Sequence, residues 1–244
     1  HLDWHGTVKN YKISKFNIFS KQDNQGYAFL NNQELIKQFR KKNFLSKLKK
    51  IQDNTLEKYI KNKYLLSKTN LENVSFAYEL SNIFKIKKKI TLKAFNTFKG
   101  LPHRNEIFYQ KRGTTFINDS KATSFEAAQH ALKNNKNIFW IVGGLPKLGD
   151  KFSLKNVKKN IIKSYIIGKH INYFKKKIEK TLRYKISFNL KKALEDIFKD
   201  LQYHKKIKVT VLLSPASASY DQFNNFAERG NQFKKLTFKY AKKF

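Results

Sequence analysis

Three loops of the chain together supply hydroxyl, lysine and carboxylate side chains, and each loop directly follows a predicted β-strand. The loops are 118–123, 143–150 and 214–221. Lysine and hydroxyl side chains donate hydrogen bonds to carboxylates and phosphates, so this composition favours an anionic ligand. The carboxyl ends of parallel strands lie along one edge of a sheet. We therefore expect the three loops to converge on one crevice.

The elements that must position these loops are short strands that alternate with helices. Runs of β-branched and aromatic residues predict strands at 114–117, 137–142, 165–168, 184–188 and 208–213. A turn at Arg112–Gly113 precedes the first strand, and an amphipathic helix at 190–201 precedes the last. After Asn137, the run 137–142 is apolar throughout, as expected for a strand buried on both faces. The pattern predicts an α/β fold with a mostly parallel sheet.

A helix is predicted directly after the loop 118–123. Thr123 and Glu126 have the spacing of a capping box, and the apolar residues Phe125, Ala128 and Leu132 follow on one face. Thr123 is therefore open to two interpretations, as the helix cap or as a ligand contact.

The first hundred residues predict a separate set of elements. Thr7 and Asn32 are expected to cap helices, and 27–30 is a predicted strand. The basic stretch 41–63 has no regular pattern and is expected to be solvated. Helices are predicted at 70–84 and 92–98, the first with an apolar side made of Val74, Phe76, Ala77, Leu80 and Ile83. Gly100 and Pro102 mark the predicted boundary between domains 1–99 and 100–244.

Bulk composition bounds the class of protein. A chain of 244 residues with 40% hydrophobic residues can bury a core, and it contains no cysteine and no apolar run of about 18 residues. We expect a cytoplasmic monomer with no membrane partner. The chain begins with histidine and contains no methionine, so we expect it to be a piece of a longer protein.

The net charge of +35 suggests nucleic acid or another anionic surface as a partner. The lysines are, however, spread over every predicted element. Lys, Asn, Ile and Phe all have A/T-rich codons and are abundant together. Binding surfaces are usually clustered, so codon usage is the preferred explanation, and no specific nucleic-acid partner is expected.

Four stretches of the sequence resemble one family, the Mur ligases, which are ATP-dependent amino-acid-adding enzymes of peptidoglycan synthesis. They are LPHR at 101–104, NDSKAT at 118–123, HLDWHG at 1–6 and SPASASYDQFNNFAERGNQF at 214–233. The last stretch is similar to the pattern SPAxASxDQFxNFxxRGxxF of the D-glutamate-adding members, and the third to the motif HLDRHG. The resemblance implies that 1–99 is the end of the family's central ATP-binding domain and that 100–244 is its Rossmann-like C-terminal domain.

The resemblance also implies roles for individual residues. The nucleotide would be held by Arg104 at the phosphates, Asp119 at the ribose and Asn73 at the adenine, although Thr69 stands where the family's HNxxN motif has histidine. The residues implied for D-glutamate binding are Lys121, Thr123, Lys147, Ser219 and Phe226. His1 and Lys15, the latter as a carbamate, are the implied catalytic ligands of Mg²⁺.

The implied reaction is the ATP-dependent addition of D-glutamate to UDP-N-acetylmuramoyl-L-alanine through an acyl phosphate. The chain contains no G-x-x-x-x-G-K-[ST] phosphate loop. In the family that loop precedes HLD, so the chain alone is expected to be inactive. Two alternatives remain, namely a non-catalytic basic protein that binds RNA, and another ligase such as a sister Mur ligase or a folylpolyglutamate synthase.

Overall fold

The computed structural model describes residues 2–52, 56–62, 64–147 and 149–242. The chain divides into two compact units, His1–Lys99 and Gly100–Phe244. In the described part of the chain, no helix has both the length and the apolar character that a membrane crossing requires.

The first unit is mainly helical with a small parallel sheet. Its helices are α1 (Leu2–His5), α2 (Val8–Ser20), α3 (Gln33–Lys41), α4 (Lys68–Ile83) and α5 (Lys88–Thr97). Its strands β1 (Tyr27–Leu30) and β2 (Lys47–Lys50) pair in parallel. The predicted caps are confirmed, because the side chain of Thr7 accepts a hydrogen bond from Asn10 N and that of Asn32 accepts one from Leu35 N.

Two predictions for this unit are wrong. The stretch 41–63 is not simply solvated, because it contains β2 and buries Leu56 and Ile60 against α4. The buried side of α4 carries Leu71 and Val74, whereas Leu80 is 47% exposed. Leu56 and Ile60 share a core cluster with Leu71 and Val74, so the predicted apolar side of α4 is confirmed at Val74 but wrong at Ala77 and Leu80.

The second unit contains a six-stranded sheet in the order β3-β4-β8-β5-β6-β7. Its strands are β3 (Glu106–Lys111), β4 (Thr114–Asn118), β5 (Ile138–Gly143), β6 (Ile161–Ile167), β7 (Tyr184–Phe188) and β8 (Val209–Leu213). Only the β3–β4 hairpin is antiparallel, and the other pairings are parallel. The α/β fold class with a mostly parallel sheet is confirmed.

Helices cover both faces of this sheet. They are α6 (Phe125–Asn134), α7 (Ile171–Ile178), α8 (Leu190–Leu201) and α9 (Phe226–Ala241). α6 and α7 contribute to the core on one face, and α8 and α9 to the core on the other. Every residue of the central strand β5 is buried, as its apolar sequence predicts. Strand and helix thus alternate along the chain so that the ends of β4, β5 and β8 are presented at one edge.

Candidate functional site

The three polar loops meet at the carboxyl ends of the adjacent strands β4, β8 and β5. Asp119 N donates to Leu213 O at 2.8 Å, which joins the first loop to the end of β8. Gly143 N donates to Pro215 O at 2.9 Å, and Leu145 and Ala218 exchange backbone hydrogen bonds of 3.0 and 2.9 Å. The predicted convergence of the loops is confirmed, and the loop 214–221 is the one to which the other two are fixed.

Asp119 is the carboxylate at the centre of this arrangement. Its Oδ1 accepts from Asn105 N at 3.1 Å, and its Oδ2 accepts from Ser214 Oγ at 2.7 Å. Burial raises the pKa of Asp119 to about 6, although both hydrogen bonds and the charge of Arg104 oppose the shift. Arg104 itself is exposed. The structure therefore brings the two predicted nucleotide ligands of this unit together, with the cation at the surface.

The raised pKa of Asp119 predicts an unusual pH dependence of stability. Its folded-state pKa lies above the unfolded value of 3.8, so its ionisation destabilises the fold progressively between pH 4 and pH 6. A shift of this size corresponds to about 3 kcal/mol. We expect the free energy of unfolding of Asp119→Asn, measured in urea, to rise relative to the natural chain by that amount between pH 4 and pH 7.5.

A second carboxylate gives the control for this experiment. Burial acts against the ionised form of Asp200, but hydrogen bonds from Lys163 and Tyr165 outweigh it and lower the pKa. Its contribution to stability is present at neutral pH and is lost as the pH falls. Asp200→Asn should consequently fall in stability relative to the natural chain as the pH rises, and a trend of the same sign for both variants would contradict the assignment.

A buried histidine fixes the loop that carries Arg104. His103 has a positive φ of 64°, and its Nδ1 lies 2.9 Å from Asn118 Nδ2. Its backbone N–H donates to Glu106 Oε2 at 3.0 Å, and its carbonyl accepts from Lys121 N at 3.1 Å. Burial lowers the pKa of His103, which favours the neutral ring. Sequence reasoning gave no role to His103, Glu106 or Asn118.

Gly230 explains how this histidine fits against α9. A Cβ atom at Gly230 would lie 2.3 Å from His103 Nδ1 and 2.9 Å from Asn118 Oδ1. The helix can approach the loop only without a side chain at this position. Gly230, which belongs to the stretch 214–233, is thus the sequence feature that indicates this close contact between α9 and His103.

Lys121 and Phe226 lie together beside the Arg104 loop. Lys121 Nζ is 4.8 Å from the centre of the Phe226 ring, and the ring of His103 contacts the same phenyl group edge-on at 6.0 Å. Ser120 Oγ donates to Phe226 O at 2.7 Å, which fixes the first residue of α9 to the first loop. Phe226 is half-buried and belongs to neither core cluster. Phe226 is therefore not a core phenylalanine, and its contact with D-glutamate stays a prediction.

The predicted capping box at Thr123 is wrong. Ser124 is the cap of α6, because its backbone is extended and its Oγ accepts from Ala127 N at 3.3 Å. The helix begins one residue later than predicted, and the Asp150 carboxylate accepts from Phe125 N in the first turn. The ambiguity over Thr123 is resolved against capping, and its hydroxyl lies half-buried in the loop.

Of the other predicted site residues, Lys147 and Ser219 lie on the second and third loops, whereas Asn73 and Lys15 lie on helices of the first unit. Lys147 is exposed two residues after Leu145, and Ser219 is buried one residue after Ala218, so the Leu145–Ala218 pairing brings their loops together. Asn73 is exposed on α4, in the first unit. Lys15 is exposed on α2, with its Nζ 5.5 Å from the centre of the Tyr11 ring.

The predicted metal site is only partly visible. His1 lies outside the described residues. Within the residues that the structure describes, no group of three or more His, Cys, Asp or Glu side chains could hold a metal ion. The assignment of His1 and Lys15 as magnesium ligands therefore stays a prediction.

Arg229 is a buried cation beneath the site that sequence reasoning left without a role. Its Nη2 donates to Ser120 O at 2.8 Å and to Ser217 O at 3.0 Å, and its Nε donates to Ser120 Oγ at 3.0 Å. Burial lowers its pKa to about 10, against the opposing charge of Asp221. The guanidinium stays charged at neutral pH and ties the first loop to the third.

The fold is that of an α/β domain in which polar loops meet at the carboxyl edge of a mostly parallel sheet, the edge where such folds bind ligands. Solved structures with this fold include MurF from Acinetobacter baumannii, which has a TM-score of 0.64 at 15% identity over 98% of this chain and 56% of that one. A murein peptide ligase from Psychrobacter arcticus has a TM-score of 0.53 at 9% identity over 92% and 54%. At such identities the similarity establishes the fold alone.

Sequence relatives are more specific. The chain is 32% identical to UDP-N-acetylmuramoylalanine–D-glutamate ligase of Rickettsia felis and 30% identical to that of Rickettsia bellii, in each case over 97% of this chain and 58% of the relative. It is 37% identical to the same ligase of a Wolbachia species over 68% of this chain and 33% of the relative. No family model matches the chain. The chain is a homologue of the Mur ligases, and it spans less than three fifths of the first two relatives.

Proposed function

We propose that this chain forms the nucleotide- and D-glutamate-binding part of an ATP-dependent ligase that adds D-glutamate to UDP-N-acetylmuramoyl-L-alanine. The observation that carries the proposal is the cluster of Arg104, Asp119, Lys121 and Phe226 at one edge of the sheet. The D-glutamate ligases among its relatives supply the substrate. His1–Lys99 would be the end of the central ATP-binding domain and Gly100–Phe244 the C-terminal domain.

In this proposal the nucleotide is held by groups of opposite charge. Arg104 is exposed and carries a fixed positive charge, which suits the phosphates of ATP. Asp119 is ionised at neutral pH and accepts hydrogen bonds, which suits the hydroxyls of the ribose. Asn73 offers an amide on the first unit for the adenine.

D-glutamate carries two carboxylates, so its binding requires cations and hydroxyl donors. Lys121 and Lys147 supply the cations, and Thr123 and Ser219 supply the hydroxyl groups. The Phe226 ring beneath the Lys121 ammonium limits where that charge can move. The lysines would orient the amino acid so that its amine faces the acyl group.

The proposed reaction has two steps. A carboxylate oxygen of UDP-N-acetylmuramoyl-L-alanine attacks the γ-phosphorus of ATP, and ADP leaves. The amine of D-glutamate then attacks the acyl carbon, so that an amide bond forms, the C–O bond to phosphate breaks and the amine releases a proton. The positive side chains of the crevice favour these anionic substrates. We propose that the enzyme acts in the cytoplasm as a monomer.

Lys147→Ala tests the assignment to D-glutamate. Loss of one charge-assisted hydrogen bond to a carboxylate should cost roughly 1.5–3 kcal/mol, or about 10- to 150-fold in affinity. We expect the apparent constant for D-glutamate to rise by this factor in the complete ligase, while that for ATP changes little. Lys151→Ala, an exposed lysine after the same loop, is the matched control. Equal weakening of ATP and D-glutamate would contradict the assignment.

Lys15→Ala tests the proposed magnesium ligand. A free lysine is a cation at neutral pH and cannot bind Mg²⁺, whereas a carbamate formed with carbon dioxide offers the oxygen ligands that Mg²⁺ prefers. We expect Lys15→Ala to inactivate the complete ligase, and small carboxylic acids to restore part of its activity. Lys12→Ala, exposed on the same helix, should keep normal turnover. Near-normal turnover of Lys15→Ala would show that Lys15 is a solvated surface residue.

A further inference from the structure

The turn between α4 and α5 exposes apolar and basic side chains together. Every residue from Phe84 to Ile90, with the sequence FKIKKKI, is exposed. Phe84 is 70% exposed, Ile86 42% and Ile90 57%, and Leu80 on the preceding helical turn is 47% exposed. Leu80 and residues 84–90 form what we call the hairpin tip. We propose that the hairpin tip binds the surface of anionic lipid bilayers.

The shape of the hairpin tip is fixed by hydrogen bonds. Ile86 N donates to Ser81 O and Lys85 N to Asn82 O, each at 3.0 Å, which closes the end of α4. Lys85 holds the left-handed conformation (φ 55°) that glycine usually occupies there. Below the turn, Thr91 Oγ1 donates to Ser81 Oγ at 3.1 Å in a buried contact. Because these hydrogen bonds fix the backbone of the turn, the apolar side chains of the hairpin tip stay exposed to solvent.

A lipid surface uses both kinds of side chain in the hairpin tip. Apolar residues enter the boundary between headgroups and acyl chains, and lysines near the surface are attracted to anionic headgroups. Nucleic acid would use the lysines, but bases stack on aromatic rings, and the tip offers branched aliphatic side chains at two of its three most protruding apolar positions. The combination favours a bilayer. Such peripheral binding differs from a membrane span and was not expected from the sequence.

The hairpin tip also differs from the general basic surface of the chain. α7 carries a comparable run of lysines, Lys175, Lys176 and Lys177, but the flanking apolar residues Phe174 and Ile178 are fully buried. The lysines of α7 therefore have no exposed apolar side chains beside them. Comparing α7 with the hairpin tip distinguishes adsorption through charge alone from binding that also inserts apolar groups into the bilayer.

The test is cosedimentation of the 244-residue chain with vesicles of phosphatidylglycerol and phosphatidylcholine, compared with phosphatidylcholine alone. We expect binding to the mixed vesicles only. Each lysine lost near the surface should reduce partitioning about fivefold, so the triple change Lys85→Gln, Lys87→Gln, Lys89→Gln should reduce it about 100-fold. Lys88 is left unchanged because its Nζ lies 4.4 Å from the Tyr59 ring.

Two further variants make the outcome decisive. Phe84→Ser with Ile90→Ser should also reduce binding to the mixed vesicles, and it leaves the fold intact because both side chains are exposed. Lys176→Gln, Lys177→Gln, Lys180→Gln removes the same charge elsewhere and should have a much smaller effect. The proposal is overturned if this control weakens binding as much as the tip triple variant. It is also overturned if the serine variant binds normally, or if generic RNA binds the tip in preference to vesicles. None of these outcomes depends on the ligase activity.

Discussion

Gly143→Ala should destabilise the second unit by on the order of 3–5 kcal/mol, the largest effect that we expect from a single methyl group in this chain. Gly143 ends β5 with φ 125°, and a Cβ atom there would lie 2.1 Å from Ile167 O. The obstacle is the backbone of β6, which cannot rotate aside as a side chain can. The free energy of unfolding in urea measures the loss.

Gly113→Ala is the matched control for this prediction. Gly113 also has a positive φ, 78°, but no atom lies within 4 Å of its Cβ position. Its substitution therefore incurs the conformational cost alone, roughly 1–2 kcal/mol. A difference of less than about 1 kcal/mol between the two variants would show that β6 moves away from the new methyl group.

Arg229→Met should lower the free energy of unfolding by about 3 kcal/mol, the second largest effect that we expect. The substitution leaves Ser120 O, Ser217 O and Ser120 Oγ without this donor in the protein interior. Methionine keeps much of the apolar stem, so the loss reports the hydrogen bonds and not the packing. We expect the weakened loops to reduce D-glutamate binding as well, and urea unfolding together with titration of D-glutamate measures both effects.

Lys235→Met provides the comparison on the same helix. Lys235 is exposed on α9, so removing its charge should change stability by no more than about 0.5 kcal/mol. Arg229→Lys should recover little, because one ammonium group cannot reach both carbonyls as the planar guanidinium does. Full stability of Arg229→Lys would show that charge alone, and not the geometry of the fork, holds the loops.

Elements specified by local sequence were predictable. β7 and α8 both have the predicted bounds. For α8 the local signals are the side chain of Asn189, which caps the helix, and the buried residues Leu194, Ile197 and Leu201, which recur on one face. β2 was not predictable, because its sequence KLKK resembles a solvated loop and becomes a strand only by pairing with β1. α7 was missed because only Phe174 and Ile178 of its eight residues are buried.

The candidate site divides in the same way. The polar loops follow recognisable strands, so their convergence could be predicted from the sequence. The contacts of Asp119 with Asn105 and Ser214 depend on three separate segments meeting in space, and no spacing along the chain encodes them. Arg229 was expected at most to have a structural role in its turn, and its burial between the first and third loops could not be predicted, because exposed and buried cations look alike in a lysine-rich sequence. The roles of the site residues toward ATP, D-glutamate and Mg²⁺ stay predictions.

The strand order has a consequence for synthesis of the chain on the ribosome. β8 is translated after the other five strands of this sheet, yet it lies between β4 and β5 and is followed by the loop to which the other two loops are fixed. Until residues 209–229 have emerged from the exit tunnel, β4 and β5 each present an open edge to other nascent chains. The three loops therefore come together only after this segment has been translated, and a ribosome that stalls before it releases a product whose exposed strand edges favour aggregation.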